Sequence, residues 1–106
     1  MRLFIFDMQK LTKNQILFHR TLGTKCIVTF YEVTRATTRT CEIREIRKNV
    51  VRQDEYNQYV MPSPGADIGK KMRCTVIPSG AVALGGNQFA WPWDGNPERQ
   101  DTLIFV

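Results

Sequence analysis

Residues Lys25–Val33 have the sequence KCIVTFYEV, and residues Thr38–Ile46 have the sequence TRTCEIREI. Both runs are rich in β-branched and aromatic residues and alternate between apolar and polar positions, which is typical of half-buried strands. The segment between them, Thr34–Thr37, is short and polar. Two such runs around a short polar link predict a β-hairpin, and this hairpin decides the fold class.

The faces of the hairpin follow from its register, because side chains alternate across a strand. We expect Phe30 opposite Cys41 and Val28 opposite Ile43. In that register the core face consists of Cys26, Val28, Phe30, Cys41 and Ile43. The opposite, solvated face consists of Thr29, Tyr31, Thr40, Glu42 and Arg44.

One helix is predicted before the hairpin. Thr12 and Gln15 have the spacing of a capping box, in which each side chain satisfies a free backbone N–H of the first helical turn. Apolar residues follow directly, and Gly23 lies where a helix terminator is wanted. These signals predict a helix over Lys13–Leu22.

The rest of the chain predicts short strands separated by proline and glycine turns. The predicted segments are a strand or docked tail at Arg2–Asp7, strands at Tyr59–Met61, Lys71–Ile77, Ala81–Leu84, Phe89–Trp93 and Thr102–Val106, and a loop at Pro62–Gly69. Pro92 has no backbone N–H, so we expect its strand at a sheet edge. Strands this short favour a sheet that curves and closes on itself. We therefore predict a mainly β fold, a small curved sheet or barrel with one short N-terminal helix, in a single domain over residues 1–106.

Residues Leu17–Arg44 resemble small bacteriophage proteins of mostly unassigned function. In those proteins a short helix precedes a strand of V-T-F type, and a charged hairpin tip leads to a strand that ends in Cys-Thr or similar. Ile27–Phe30 (IVTF) and Arg39–Cys41 (RTC) occupy the matching places here, whereas the tip Thr34–Thr37 (TRAT) departs from the usual Lys, Asp and Gly. It implies an SH3-like β-barrel and a phage accessory protein that acts in the cytoplasm of the host. It transfers no functional residue to this chain.

Composition excludes several classes of protein. The chain has 106 residues, with 15 Lys and Arg against 10 Asp and Glu, and a formal net charge of +5. It contains no apolar run long enough to span a membrane, and its first residues lack the cleavage site of a signal peptide. Cys26, Cys41 and Cys74 are widely spaced, which favours reduced thiols and argues against a metal site with paired ligands. We expect a cytoplasmic protein without a cofactor.

Catalysis is not predicted. The chain has one histidine, His19, and its glycines are not followed by the Gly-Lys-Ser/Thr of a phosphate loop. No order of Ser or Cys with His matches a hydrolase motif. We therefore expect a protein that acts by binding and is not an enzyme.

Positive charge is concentrated on the hairpin and on the strand after residue 70. The residues expected to contact nucleic acid or another partner are Tyr31, Arg35, Arg39, Arg44, Arg47, Lys48, Lys71 and Arg73. Arginine suits bidentate phosphate contacts, and Tyr31 on the outward face is expected to stack on a base. The open alternative is that these charges only solvate the outer face of the hairpin, or that they dock an acidic protein.

A second candidate surface is aromatic. Phe89, Trp91 and Trp93 are crowded around Pro92, and strict alternation places all three on one side. That side is either ordinary core or, because Pro92 interrupts the strand, a rim where a tryptophan anchors a partner. The rim interpretation predicts a protein that inhibits a host factor, as in host takeover. An edge strand such as Thr102–Val106 would also permit a homodimer.

Overall fold

A computed structural model describes residues 11–21 and 23–102, and these residues form eight antiparallel strands. The strands are β1 (Ile16–Thr21), β2 (Ile27–Ala36), β3 (Thr40–Gln53), β4 (Asn57–Asp67), β5 (Met72–Val76), β6 (Val82–Gly85), β7 (Gln88–Pro92) and β8 (Glu98–Asp101). Neighbouring strands follow the order β2, β1, β7, β6, β5, β3, and β2 also pairs with β3, so these six strands close into a barrel. β4 and β8 continue from β3 as an arm. The predicted mainly β barrel is confirmed.

The predicted helix over Lys13–Leu22 is wrong. The Gln15 side chain does accept a hydrogen bond from the Thr12 backbone N–H, as in a capping box, at 3.0 Å. However, the Gln15 N–H returns to the Thr12 carbonyl, and Asn14 has a φ of 73°, so these residues form a β-turn. The residues after this turn form strand β1 instead of a helix, because they pair with β2 on one side and with β7 on the other. This double pairing closes the barrel.

The predicted hairpin of β2 and β3 is present, but its register is wrong. Phe30 lies opposite Ile46, and Val33 lies opposite Ile43. The register shifts between Val33 and Arg35, where one extra residue of β2 forms a bulge. Because β2 continues to Ala36, the turn is also later in the chain than the polar link Thr34–Thr37 indicated.

The predicted core face splits into two cores on opposite sides of the barrel wall. The barrel interior contains Leu11, Leu17, Val33, Cys41, Ile43, Cys74, Val82 and Ala90. The second core contains Val28, Phe30, Ile46 and Val60, with Ile16, Phe18 and Trp93 packed against it. Val28 and Phe30 therefore face the arm, and Cys41 and Ile43 face the barrel axis. One wall of strands buries apolar side chains on both of its faces.

A polar network joins the arm to the barrel where β2 and β3 diverge. Val28 lies beyond the pairing with β3, and its N–H donates to Gln100 Oε1 at 3.0 Å. Lys48 Nζ donates to the Val28 carbonyl and to Gln100 Oε1, the latter at 2.8 Å. Gln100 Nε2 donates to Gln58 Oε1 at 2.9 Å. The side chains of Gln100 and Lys48 thus take the place of a neighbouring strand and satisfy the backbone N–H and C=O of Val28.

The prolines are placed differently from the prediction. Pro62–Gly69 is not a loop, because β4 runs through Pro62 as far as Asp67. β8 pairs only with Asn57–Val60 of β4. Pro62 and Pro64 therefore lie in the part of β4 that has β3 as its only neighbouring strand, next to a register shift. Pro92 ends β7, which lies between β6 and β1 and is not a sheet edge.

The predicted strand Thr102–Val106 and the predicted strand or tail Arg2–Asp7 lie outside the described residues, apart from Thr102. Thr102 itself follows β8 and is not part of a strand. None of the described residues forms a helix long and apolar enough to cross a lipid bilayer.

Candidate functional site

The tip of the β2–β3 hairpin and the adjoining part of β5 enclose a shallow pocket of about 200 Å³, here called the tip pocket. Its lining residues are Arg35, Ala36, Thr37, Thr40, Cys41, Glu42 and Arg73. Glu42 pairs with Arg35 of β2 and with Arg73 of β5, so three adjacent strands present these side chains together. The alternation that buries Cys41 in the barrel turns Glu42 outward.

Thr37 determines the shape of the hairpin tip. Its backbone N–H donates to the Thr40 carbonyl at 2.8 Å, and its hydroxyl oxygen accepts hydrogen bonds from the N–H groups of Arg39 and Thr40. The Arg39 carbonyl accepts a hydrogen bond from Val76, which ties the tip to β5. Arg39 is thereby held exposed at the apex beside the tip pocket.

Glu42 remains ionised inside this basic surface. The Thr34 hydroxyl donates to Glu42 Oε1 at 2.9 Å, and Lys71 Nζ lies 3.6 Å from the same oxygen. The Thr34 hydrogen bond holds the pKa of Glu42 below its usual range against the opposing effect of burial, and the Lys71 and Arg35 charges lower it further. Arg35, Arg39 and Arg73 form no salt bridge with the described residues. The surface therefore carries an excess of positive charge.

Three of the other basic residues predicted to bind are not part of this surface. Arg44 forms a salt bridge with Asp67 at the base of the arm. Lys48 is turned inward to the network with Val28, and burial lowers its pKa, with an opposing effect from Glu45. Arg47 is exposed on β3 beyond the barrel.

Tyr31 does not lie on the outward face. It pairs with Leu17, which is fully buried in the barrel, and its ring packs against the same core. Burial, with smaller effects from Glu45 and Cys74, raises the pKa of Tyr31. The prediction that Tyr31 is turned outward to stack on a base is therefore wrong, because the faces of β2 were assigned without its bulge.

The aromatic residues of the second candidate surface are divided between solvent and core. Phe89 and Trp91 are 36% and 44% exposed, whereas Ala90 between them is buried in the barrel. Trp93 packs edge-on against Phe30, with ring centroids 5.9 Å apart, and its indole N–H donates to the Asn96 carbonyl at 2.7 Å. Trp93 therefore belongs to the second core.

Phe89 and Trp91 line a shallow groove of about 480 Å³ between β1 and β7. His19 Nδ1 is 2.9 Å from the Phe89 carbonyl, and Arg20 forms a salt bridge of 2.7 Å with Glu98. The Arg20 guanidinium is thus neutralised locally. The groove therefore exposes the Phe89 and Trp91 rings beside an arginine whose charge is already paired.

No model of a known protein family matches the chain, and neither a curated protein nor a solved structure matches it. Within residues 11–21 and 23–102, no group of three His, Cys, Asp or Glu side chains is placed to hold a metal ion.

The polar part of the tip pocket was missing from the sequence prediction. Glu42, Thr37 and Thr40 line the pocket, and the Thr34 hydroxyl donates to Glu42, whereas the sequence predicts only a polar link and a solvated face for these residues. The sequence feature that could have indicated these residues is the cluster of threonines around Arg35 and Arg39, because hydroxyl groups beside arginines commonly accompany phosphate contacts.

Proposed function

We propose that this protein is a non-enzymatic binding module that holds the phosphates of a nucleic acid, free or bound to a host protein assembly, at the tip pocket. The observation that carries the proposal is a set of three arginines, Arg35, Arg39 and Arg73, that form no salt bridge with any described residue. They lie in or beside a pocket lined by Thr37 and Thr40. Guanidinium groups bind phosphate oxygens bidentately, and hydroxyl groups add further hydrogen bonds.

Glu42 is compatible with this proposal, although it is an anion in the pocket wall. It attracts Lys71 and Arg35, yet its single charge leaves the surface positive. A phosphate that enters between Arg35 and Arg73 approaches Glu42 too, so the bound phosphate is expected to lie toward Arg39 and Thr37. This geometry favours contact with the backbone of a strand over recognition of its bases.

The double substitution Arg35→Glu and Arg73→Glu is expected to weaken binding of a single-stranded oligonucleotide by at least about tenfold at low salt, because two phosphate contacts are lost. The slope of log affinity against log salt should decrease in magnitude by about one to two, since fewer counterions are released. Fluorescence anisotropy of a labelled oligonucleotide at several salt concentrations measures both quantities.

The matched control is the double substitution Arg47→Glu and Arg52→Glu, which makes the same change in net charge on the arm. Both arginines are exposed, and Arg52 stacks on Tyr59 far along β3 from the pocket. Equal loss of affinity in the two double variants would mean that only net charge matters. That result, or no binding by the native chain at low salt, would contradict the tip pocket as a phosphate site.

A second candidate function is the docking and inhibition of a host protein through Phe89 and Trp91. The exposure of both rings on a central strand favours it. Trp91→Ala is then expected to abolish capture of a specific protein in a pull-down that nuclease does not affect. Capture that is lost with nuclease and retained in Trp91→Ala would instead support the nucleic-acid function.

Placement of the protein among bacteriophage accessory proteins, acting in the host cytoplasm, remains a proposal that rests on the resemblance of Leu17–Arg44. One element of that resemblance, a helix before the first strand, is replaced here by β1. Homodimerisation through Thr102–Val106 also remains a proposal.

A further inference from the structure

We infer that Cys41 and Cys74 form a reversible disulfide bond between β3 and β5. The two residues lie directly opposite each other in the antiparallel ladder. Both are free thiols, and both belong to the core of the barrel, where they are 2% and 9% exposed. The inference does not depend on the function proposed above.

The backbone geometry permits this bond. In an antiparallel ladder, every second pair of opposite residues is joined by backbone hydrogen bonds. The Val76 N–H donates to the carbonyl of Arg39 opposite it, so the pair Cys41–Cys74, two positions along the ladder, is also hydrogen-bonded. The Cα atoms of such a pair lie roughly 5.5 Å apart. Disulfides span Cα distances of about 4.4–6.8 Å, with Cβ atoms about 3.8 Å apart. The Cβ atoms of a hydrogen-bonded pair are more widely separated than that, so bond formation requires a small shift of β5 toward β3.

β5 is a short strand with little pairing on its β6 side. It has five residues, and its pairing with β6 covers only Thr75 and Val76. A shift of β5 toward β3 therefore breaks few hydrogen bonds with β6 and keeps the four-residue pairing with β3. The strain that remains makes the bond easier to reduce than a relaxed structural disulfide, which is the property of a reversible site.

The oxidant is a small disulfide such as oxidised glutathione. One cysteine loses its proton, and its thiolate attacks a glutathione sulfur, which breaks that S–S bond and releases one glutathione. The second cysteine, deprotonated in turn, attacks the protein sulfur of the mixed disulfide and releases the second glutathione. Two protein thiols are oxidised to one disulfide, and one glutathione disulfide is reduced to two thiols.

The reaction is expected to be slow at neutral pH. Burial, with a smaller effect from Cys74, raises the pKa of Cys41 to about 11, and burial also raises the pKa of Cys74. Since the thiolate is the nucleophile, the rate should rise by about tenfold for each unit between pH 7 and pH 9. The resulting bond would close a covalent loop over residues 41–74, which contains most of β3 and all of β4. It would lie in the wall of the tip pocket, where Cys41 is a lining residue.

The test uses Cys26→Ser, which retains only Cys41 and Cys74. Cys26 immediately precedes β2, at the end away from the hairpin tip, and belongs to neither core. After incubation of the folded protein with oxidised glutathione, intact mass should fall by about 2 Da and both thiols should become unreactive toward maleimide. Reduction with dithiothreitol should restore both.

The control is Cys74→Ser, which retains Cys26 and Cys41 and should gain glutathione adducts without forming an internal bond. In the native chain, a cross-linked proteolytic peptide that contains Cys41 and Cys74 provides a measurement without any substitution. Folded protein that keeps both thiols, or that forms the bond only in denaturant, would overturn the inference. Disulfides of Cys26 with either partner at equal yield would overturn it as well.

Discussion

Phe30→Ala is expected to lower the free energy of unfolding by about 4 kcal/mol, within the range for removing a buried aromatic ring. Phe30 is fully buried at the centre of the second core, between Val28, Ile46 and Val60. Its edge-on contact with Trp93 would also be lost, and such aromatic pairs contribute about 1 kcal/mol beyond their buried area. The remaining side chains are held by two layers of sheet, so we expect little collapse around the cavity.

Urea denaturation followed by circular dichroism and by tryptophan fluorescence measures this loss. Phe89→Ala is the matched control, because the same atoms are removed from a ring that is 36% exposed on the outside of the barrel. We expect the control to cost about 1 kcal/mol or less. Equal costs for the two substitutions would contradict the existence of a second core between the barrel and the arm.

Gln100→Leu is expected to lower the free energy of unfolding by about 3 kcal/mol. Gln100 is 1% exposed, and its carbonyl oxygen accepts hydrogen bonds from the Val28 N–H and from the Lys48 ammonium group. Leucine fills a similar volume but accepts no hydrogen bond. Each buried donor left without an acceptor costs about 1–3 kcal/mol, and more when the donor is charged.

A double-mutant cycle with Lys48→Met separates the network from simple packing. In the Lys48→Met background, Gln100→Leu leaves the Val28 N–H and the Gln58 amide oxygen without their partners but no longer a buried ammonium group, so its cost should fall by about 1–2 kcal/mol. Gln88→Leu, at an exposed position of β7, controls for the substitution itself. If Gln100→Leu has the same effect with and without Lys48, the two side chains are not coupled and the junction is held by apolar packing alone.

Several elements of the fold were predictable because their signals are local. The alternation of β-branched and aromatic residues predicted β2, most of β3, and β5, and the prolines and glycines marked the turns between β5 and β7. Gly80, for example, follows Pro78 and Ser79 in the predicted turn with a φ of 94°, a conformation that glycine adopts without strain. The basic character of Arg35 and Arg73 was also visible in the sequence.

Other elements had no local signal, or a misleading one. The Thr12–Gln15 hydrogen bond exists in a turn as it would in a helix cap, so the sequence could not distinguish the two. β8 has the sequence ERQD, which contains no β-branched or aromatic residue, and it is a strand because β4 pairs with it and Gln100 is buried behind it. Pro62 argued for a loop, but the unpaired edge of β4 accommodates it.

By itself, the sequence determined that this chain builds a mainly β barrel from short strands around the hairpin of Lys25–Ile46, with excess positive charge near its tip. Only the tertiary structure decided which side of each strand is buried. A bulge between Val33 and Arg35 shifts the register, and the arm covers the outer face of β2, so Tyr31 turns inward while Phe30 enters a second core. The physical reason is that side-chain alternation has a period of two, so one extra residue reverses the faces of the strand, and only long-range pairing determines where that residue is accommodated.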